Sequence, residues 1–320
     1  MDEFCSTLDR DTAKIVAFNI QKIARQEGKA ILAVTTHTDL EEDLAPTIRI
    51  HKRFGKEINT QTRPNKPPQN CTIAAHTRTR EGTMNDYHKL SEFHYRETKR
   101  LPPPRKIFAM ERTDTNELIG VIVYSYPPPV CPGRNKAFSR RKLSFKELNK
   151  RLSIISRVVL HPKYRTIGLG AKIVKETLPQ AGTPYVEAVA VMAKYNPFFE
   201  KAGMKKITTQ TCDSAIAEAI NQLKRLGFNP SMLASENLNR KKLQKLTLNQ
   251  KTQLKTILLS IRTPRLRRTL QSNPYADDDS YKKALEKADL NKLANTLKTL
   301  SILNQPKTYL LWTPKRQKVF

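Results

Sequence analysis

The sequence predicts an α/β chain whose sheet lies in its middle third and whose last third is helical. Three observations carry this. Residues 86–210 alternate β-branched apolar runs with amphipathic ones. Residues 211–320 are rich in Lys, Leu and Asn at helical spacing, and residues 1–58 open with a helix followed by a short strand. With 320 residues, 38% of them hydrophobic, the chain is long enough for two or three domains and apolar enough for a true core.

Taken in order, residues 11–26 predict a helix, because Ile15, Ile20 and Ile23 recur near one face and Gly28 supplies a stop. Residues 30–34 read as a short buried strand ending at Thr35-Thr36-His37. Residues 59–85, with Pro64, Pro67 and Pro68, read as a polar linker. Residues 106–111 and 118–125 then predict a strand pair around the polar turn Asp114-Thr115-Asn116. Residues 126–151 are a Pro-rich, basic insertion in which Gly133-Arg134 and Arg140-Arg141-Lys142 are candidate phosphate clamps.

Residues 154–160 are apolar and β-branched, as a buried strand requires, and His161-Pro162 ends them. Arg165-Thr166-Ile167-Gly168-Leu169-Gly170 follows and opens an amphipathic helix running to Leu178. This arrangement suits a pyrophosphate. Glycines let the backbone approach a ligand closely. The helix start aims free N–H groups at an anion. Arg165 and Lys172 add positive charge. Residues 185–192 predict the next buried strand. Helices are expected at residues 214–226, 249–261 and 280–303, the second with a stripe of Leu254, Ile257, Leu258 and Ile261.

The pattern Arg-x-x-Gly-x-Gly after a strand resembles the acyl-CoA loop of the GNAT N-acyltransferase family. Downstream, Ala193-Lys194-Tyr195-Asn196-Pro197-Phe198-Phe199-Glu200-Lys201-Ala202-Gly203, followed by Met204, resembles that family's second signature. The two occur in the family's order and at its distance. The resemblance implies a mixed, mostly antiparallel sheet with flanking helices, whose fourth and fifth strands splay around acetyl-CoA or another acyl-CoA. It places Val158, Leu160, Arg165, Ile167, Gly168, Gly170 and Asn196 at the cofactor. Many members have Tyr before the Glu-Lys pair, as the acid for the leaving thiolate. Phe199 stands there in this chain, which leaves Tyr195, one turn earlier, as the substitute. Glu187 and His94 are the candidate bases. Phe93-His94-Tyr95-Arg96 falls where the family builds its acceptor site, and its His-Tyr pair resembles one in Mom-type DNA-modifying proteins, so Tyr95 joins the catalytic candidates.

Residues 1–58 resemble the last third of an ABC-type ATPase domain. Asp2-Glu3 matches the end of the Walker B strand, Ser6-Thr7-Leu8-Asp9 the D-loop, and His37 the switch histidine. The chain has no Gly-x-x-x-x-Gly-Lys-[Ser/Thr] loop, so this resemblance implies a remnant without autonomous ATPase activity, and a separate ATPase half as a partner.

The formal charge of +29, from 58 Lys and Arg against 29 Asp and Glu, points to nucleic acid as a partner and as the carrier of the acceptor amine. Two alternatives stand beside this: a protein or small-molecule N-acetyltransferase, and a non-catalytic nucleic-acid-binding partner of an ABC-type ATPase. Cys5, Cys71, Cys131 and Cys212 are scattered, with no CxxC pair, so neither a metal site nor a disulfide framework is expected. No apolar run reaches membrane-spanning length, and the N-terminus is acidic, which predicts a cytoplasmic protein.

Overall fold

The computed structural model of the chain describes residues 1–68, 70–94, 101–138, 144–191, 193, 196–210, 213–271, 273, 275 and 277–314. They form two compact units, residues 1–207 with 309–314, and residues 208–308.

The first unit is built on a seven-stranded sheet, a mixed α/β architecture as expected. In chain order its strands are β3 (Thr77–Glu81), β4 (Pro104–Arg112), β5 (Leu118–Ser125), β6 (Leu152–Leu160), β7 (Tyr185–Ala190), β8 (Lys205–Gln210) and β9 (Lys307–Trp312), and their order across the sheet is β3-β4-β5-β6-β7-β9-β8. The pairings of β3 with β4, β4 with β5 and β5 with β6 are antiparallel, whereas β6 and β7 run parallel. A separate two-stranded ribbon, β1 (Ile48–Lys52) and β2 (Ile58–Thr62), precedes the sheet.

Alternation along the central strands feeds two cores, because successive side chains leave opposite faces. Phe108, Met110, Ile122 and Tyr124 face one core, which also holds Ile173 and Val174 of a helix at Leu169–Thr177. Ile107, Val121, Val123 and Val159 face the other, under Tyr87 and Leu90 of a helix at Met84–Leu90. Burial on both faces explains why residues 118–125 and 154–160 read as nearly continuous apolar runs.

The first helix, α1 (Arg10–Glu27), belongs to this unit rather than to a separate body. Its Ile15 and Phe18 enter the larger core. Asp11 pairs with the buried Arg112 of β4, and Lys163 bridges Asp9 at 2.8 Å and Asp11 at 3.5 Å. In the second unit, helices at Ser214–Arg225, Glu236–Gln244, Leu248–Leu259, Asp278–Glu286 and Leu290–Leu303 pack around Leu223, Leu243, Leu258, Tyr281 and Leu297.

The structure corrects several element assignments. Residues 30–34 form no strand and are mostly exposed, Leu32 at 78%. Their backbone bonds run to the first residues of the chain, Phe4 N–H to Val34 C=O at 2.7 Å and Val34 N–H to Met1 C=O at 2.9 Å, and Ala33 packs against the small core of Phe4, Ala13, Ala17 and Leu40. The stretch 59–85 is more than a linker, since Thr77–Glu81 pairs along β4. Residues 280–303 split into two helices because Asp289 caps a new start, accepting from Lys292 N–H at 2.7 Å. Lys307–Trp312, placed with the helical region on composition, is a strand inside the sheet.

The Met84–Leu90 helix carries the chain toward His94, and its start is fixed by charge. Thr83 and Asp86 form a reciprocal cap, and Arg80 donates to both Asp86 oxygens at 3.1 Å while reaching Glu111 at 2.8 Å. Hydrogen bonding from Arg80, then from Thr83, pushes the Asp86 carboxyl down to about 2. A depressed carboxyl stabilises the fold above the ordinary value of about 3.9, and that contribution is lost as pH falls through about 2. Arg80 is 40% exposed, so screening holds the effect to about 1 kcal/mol. Asp86→Asn is therefore expected to lower stability near neutrality by about 1 kcal/mol and to flatten the acid limb between about pH 4 and 2 in urea titrations followed by circular dichroism.

Candidate active site

The pairing of β6 with β7 covers three rungs only: Leu152 with Tyr185, Ser153 with Val186 and Ile154 with Glu187. Beyond these, β6 runs on to Leu160 beside β5, and β7 runs on to Ala190. The two strands part, and among the described residues the far half of β6 keeps one edge without a ladder partner.

The direction of its amides follows from the antiparallel pattern. His161 N–H donates to Ile119 C=O at 2.9 Å, so the residues one and three positions earlier, Leu160 and Val158, turn their N–H and C=O away from β5. They face the opening between β6 and β7. Consistent with this, Leu160 C=O accepts from Arg165 Nε at 3.1 Å. Val158, Leu160, Ala190, Phe198 and Trp312 are partly buried and pack against the large core. An extended ligand chain laid in this opening would meet backbone hydrogen-bonding groups on one side and apolar surface around it.

The glycine loop sits where β6 ends. Gly168 is the N-cap of the Leu169–Thr177 helix, at φ +91°, and the first amides of that helix have no intrahelical acceptor by construction. Thr166 adopts φ +72°, a left-handed conformation that costs a β-branched residue about 1–2 kcal/mol. Asn19 of α1 holds it there by donating to Thr166 Oγ1 at 2.9 Å. Ile167 is buried, so only its backbone is available to a ligand. A β-carbon on Gly170 would stand 3.6 Å from Phe198 and 3.7 Å from Leu160, which places the loop against the helical turn Phe198–Lys201. Asn196 is exposed just before that turn.

Two basic residues have other work. Lys172 Nζ donates to Ala74 C=O, Thr77 C=O and Thr77 Oγ1 at 2.7–3.1 Å, so it ties the helix to β3 instead of facing the loop. Arg165 donates to Leu160 C=O and, through Nη2, to Phe93 C=O at 2.8 Å. This second bond draws the Phe93–His94 segment to the glycine loop. His94 is half-buried, with its N–H on Ser91 C=O at 3.1 Å. The ring of His161 lies edge-on to Phe93 at 4.8 Å, and its Nδ1 is buried without a partner among the described residues. The His161 ring and the residue His94 thus both adjoin Phe93 at the end of β6.

Glu187 does not face an open cleft. It is fully buried at the last rung between β6 and β7, and Arg134 grips it with Nη2 to Oε1 at 2.6 Å and Nε to Oε2 at 3.0 Å. Tyr309 of β9 donates to Oε2 at 2.9 Å. Arg134 also donates to Pro128 C=O and Pro129 C=O, so it fastens the Pro-rich insertion to the sheet rather than clamping an external phosphate. Burial, followed by the Glu187 charge, drives the Tyr309 hydroxyl well above the ordinary tyrosine range and pushes the Cys131 thiol up to about 12. With its oxygens engaged by three donors, Glu187 is an anchor of the fork.

Tyr95 and Tyr195, and the Arg140–Lys142 cluster, lie outside the described residues. Phe199 is buried in the core. Asp2, Glu3, Asp9 and His37 form no shared site. Asp2 and Glu3 are exposed, Asp9 caps α1 through Thr12 N–H at 3.1 Å, and His37 donates its N–H to Thr35 Oγ1 at 3.2 Å. Hydrogen bonding to Lys163, then to Thr12, drives the Asp9 carboxyl well below the usual carboxylate range. Among the described residues no cluster of His, Cys, Asp and Glu could hold a metal ion, and no helix is long and apolar enough to cross a membrane. Sequence reading singled out Arg134 as a phosphate clamp rather than as a partner of Glu187, and it missed Tyr309 and His161 as neighbours of the site. Of these two, His161 had a local signal, its position at the end of a buried strand.

No protein-family model matches the chain, and no curated protein matches it. Solved structures do show partial likeness. A Bacillus subtilis acetyltransferase in complex with CoA is 14% identical, with a TM-score of 0.27 over 42% of this chain and 80% of its own. A spermidine N-acetyltransferase chimera from Vibrio cholerae is 8% identical, with a TM-score of 0.30 over 43% and 86%. A nourseothricin acetyltransferase is 16% identical, with a TM-score of 0.26 over 42% and 87%.

The buried pair yields a stability test. Arg134→Ala strands a buried carboxylate and is expected to cost about 3–5 kcal/mol in chemical denaturation, whereas Arg134→Met with Glu187→Met, which removes both charges, is expected to cost much less.

Proposed function

We propose that the chain is an acyl-CoA-dependent N-acyltransferase. The observation that carries this reading is the parting of β6 and β7 after three rungs, with outward amides at Val158 and Leu160 and a glycine-capped helix start beside them. An acyl-pantetheine is an extended, amide-bearing chain that ends in a pyrophosphate. Its amides would pair with the unpartnered edge of β6, and its pyrophosphate would meet the first amides of the Leu169–Thr177 helix. The resemblance of the Arg165–Gly170 and Ala193–Met204 motifs to the GNAT signatures supports the same assignment.

The reaction needs little more than placement. The acceptor amine gives up a proton and its lone pair attacks the thioester carbonyl. The C–N bond forms, the C–S bond breaks, and the thiolate takes up a proton. Backbone N–H groups on the gap side of β6 would stabilise the oxyanion. Imidazole is the side chain suited to accept the amine proton near neutral pH, and His94 and His161 are the two beside the loop. Glu187 is assigned to architecture. Tyr195 is assigned as the acid for the thiolate on sequence grounds.

Two finer assignments belong to the same proposal. The acceptor is an amine carried on nucleic acid, a reading supported by the charge of +29. The segment 1–58 serves as a buttress of the glycine loop rather than as a nucleotide site. Ile15 and Phe18 in the core, Asp9 and Asp11 on Lys163, and Asn19 on Thr166 support this role.

Isothermal titration with acetyl-CoA tests the central claim. Binding in the micromolar range, about −8 kcal/mol, is expected. Gly170→Glu is the suitable control, because Gly170 has ordinary space for a β-carbon while Gly168 has a positive φ. The added carboxylate is expected to weaken binding at least tenfold by repelling pyrophosphate at the helix start. Absence of heat with folded wild-type protein overturns the assignment.

A further inference from the structure

The nucleic-acid acceptor proposed above needs a surface that holds phosphates, and the second unit carries a basic one. Between Lys224 and Lys255 the sequence holds eight Lys and Arg residues and one carboxylate, Glu236. Lys298 neutralises that carboxylate at 2.9 Å. The fold then concentrates the charge. The helix Ser214–Arg225 ends in Lys224 and Arg225, both exposed, and the chain turns through Gly227 and Phe228. Lys242, on the helix Glu236–Gln244, lies against Gly227 with its ammonium 6.0 Å from the Phe228 ring centroid. That contact sets the end of one helix beside the flank of the other.

The outer face of the Glu236–Gln244 helix continues the patch. Its exposed positions include Asn237, Arg240, Lys241, Gln244 and, just past the end, Lys245. Arg240 reaches Asn237 Oδ1 at 3.1 Å, and Lys241 and Lys245 stand one turn apart, about 6 Å along the axis. Among the described residues none of Lys224, Arg225, Arg240, Lys241, Lys242 and Lys245 pairs with a carboxylate.

We propose that this face of the second unit, Lys224 and Arg225 with the outer side of the Glu236–Gln244 helix, binds the phosphodiester backbone of a nucleic acid. A row of unpaired cations spaced by amides matches a row of phosphates, with Asn and Gln able to donate to the same oxygens. A membrane surface fits less well. An interfacial helix needs a broad free apolar face, and here Leu243 and Leu246 are already buried in the unit's own core, leaving Leu238 as the exposed leucine of this helix. Recognition of this kind is independent of sequence and steeply dependent on salt.

The test uses the full chain and a labelled 20-base-pair DNA duplex, with fluorescence anisotropy read at several salt concentrations. The variant Arg240→Gln, Lys241→Gln, Lys245→Gln changes exposed positions only. It is expected to weaken binding about tenfold near physiological salt and to reduce the slope of log K against log salt by about 2–3, at roughly 0.9 per lost contact. A second variant, Lys282→Gln, Lys283→Gln, Lys287→Gln, removes the same charge from another exposed helix of the unit and is expected to change the slope by less than about 1. Equal losses in the two variants would mean diffuse attraction and overturn the patch. So would an unchanged slope in the first variant, or tighter binding to phosphatidylserine vesicles than to the duplex. Acetyl-CoA titration of both variants separates this outcome from the fate of the acyltransferase assignment.

Discussion

The carboxylate of Glu187 is the point on which the sheet turns. It sits at the last rung before β6 and β7 separate, with no exposure to solvent. A buried anion in that position costs several kcal/mol unless it is paired and hydrogen-bonded. Arg134 and Tyr309 meet that requirement from opposite sources, a Pro-rich insertion and the last strand of the chain. One charge therefore fixes three distant segments at the fork. The opening between the strands is thereby anchored at its closed end, which suits the extended ligand proposed for it.

The other end of β6 is controlled from the N-terminus. Thr166 is strained, and strain persists only where the surroundings over-determine the conformation. Asn19 holds the threonine directly. The charges of Asp9 and Asp11 hold Lys163, three residues before it, and Ile167, one residue after it, is locked in the core that Ile15 and Phe18 help to build. Helix α1 is thus integral to the glycine loop. Asp9 at its start is spent on a helix cap and an ion pair.

Legibility in the sequence followed the range of the interactions. The strand ending at Leu160, the loop through Gly170 and α1 were readable because each is specified within about twenty residues by β-branching, glycines and periodic isoleucines. Glu187 was picked out for the right oddity, a carboxylate among apolar neighbours, but its partners lie 53 and 122 residues away and nothing local announces them. The strand Lys307–Trp312 was hidden for the same reason, since its apolar residues gain meaning only between β7 and β8. Residues 30–34 failed in the opposite sense. Their composition is that of a buried strand, and the fold offers them no sheet.

Phe199 sharpens the chemical argument. Where the resemblance to GNAT enzymes would expect a tyrosine before Glu-Lys, this chain has a phenylalanine turned into the core, where it can only pack. Loss of a proton donor lowers a rate by roughly 10²–10⁴ when proton transfer is part of the barrier, while well-oriented placement contributes about 7–11 kcal/mol. Placement is the larger quantity, and it is the one this fold supplies: fixed amides on β6, a strained loop held from two sides, and a fork clamped by a buried charge. Arg165 extends the same logic by bonding both Leu160 C=O and Phe93 C=O, so on the proposed reading the acceptor side is referenced to the strand that holds the acyl donor. On the proposed reading, a site organised this way depends on geometry before proton transfer and tolerates the phenylalanine.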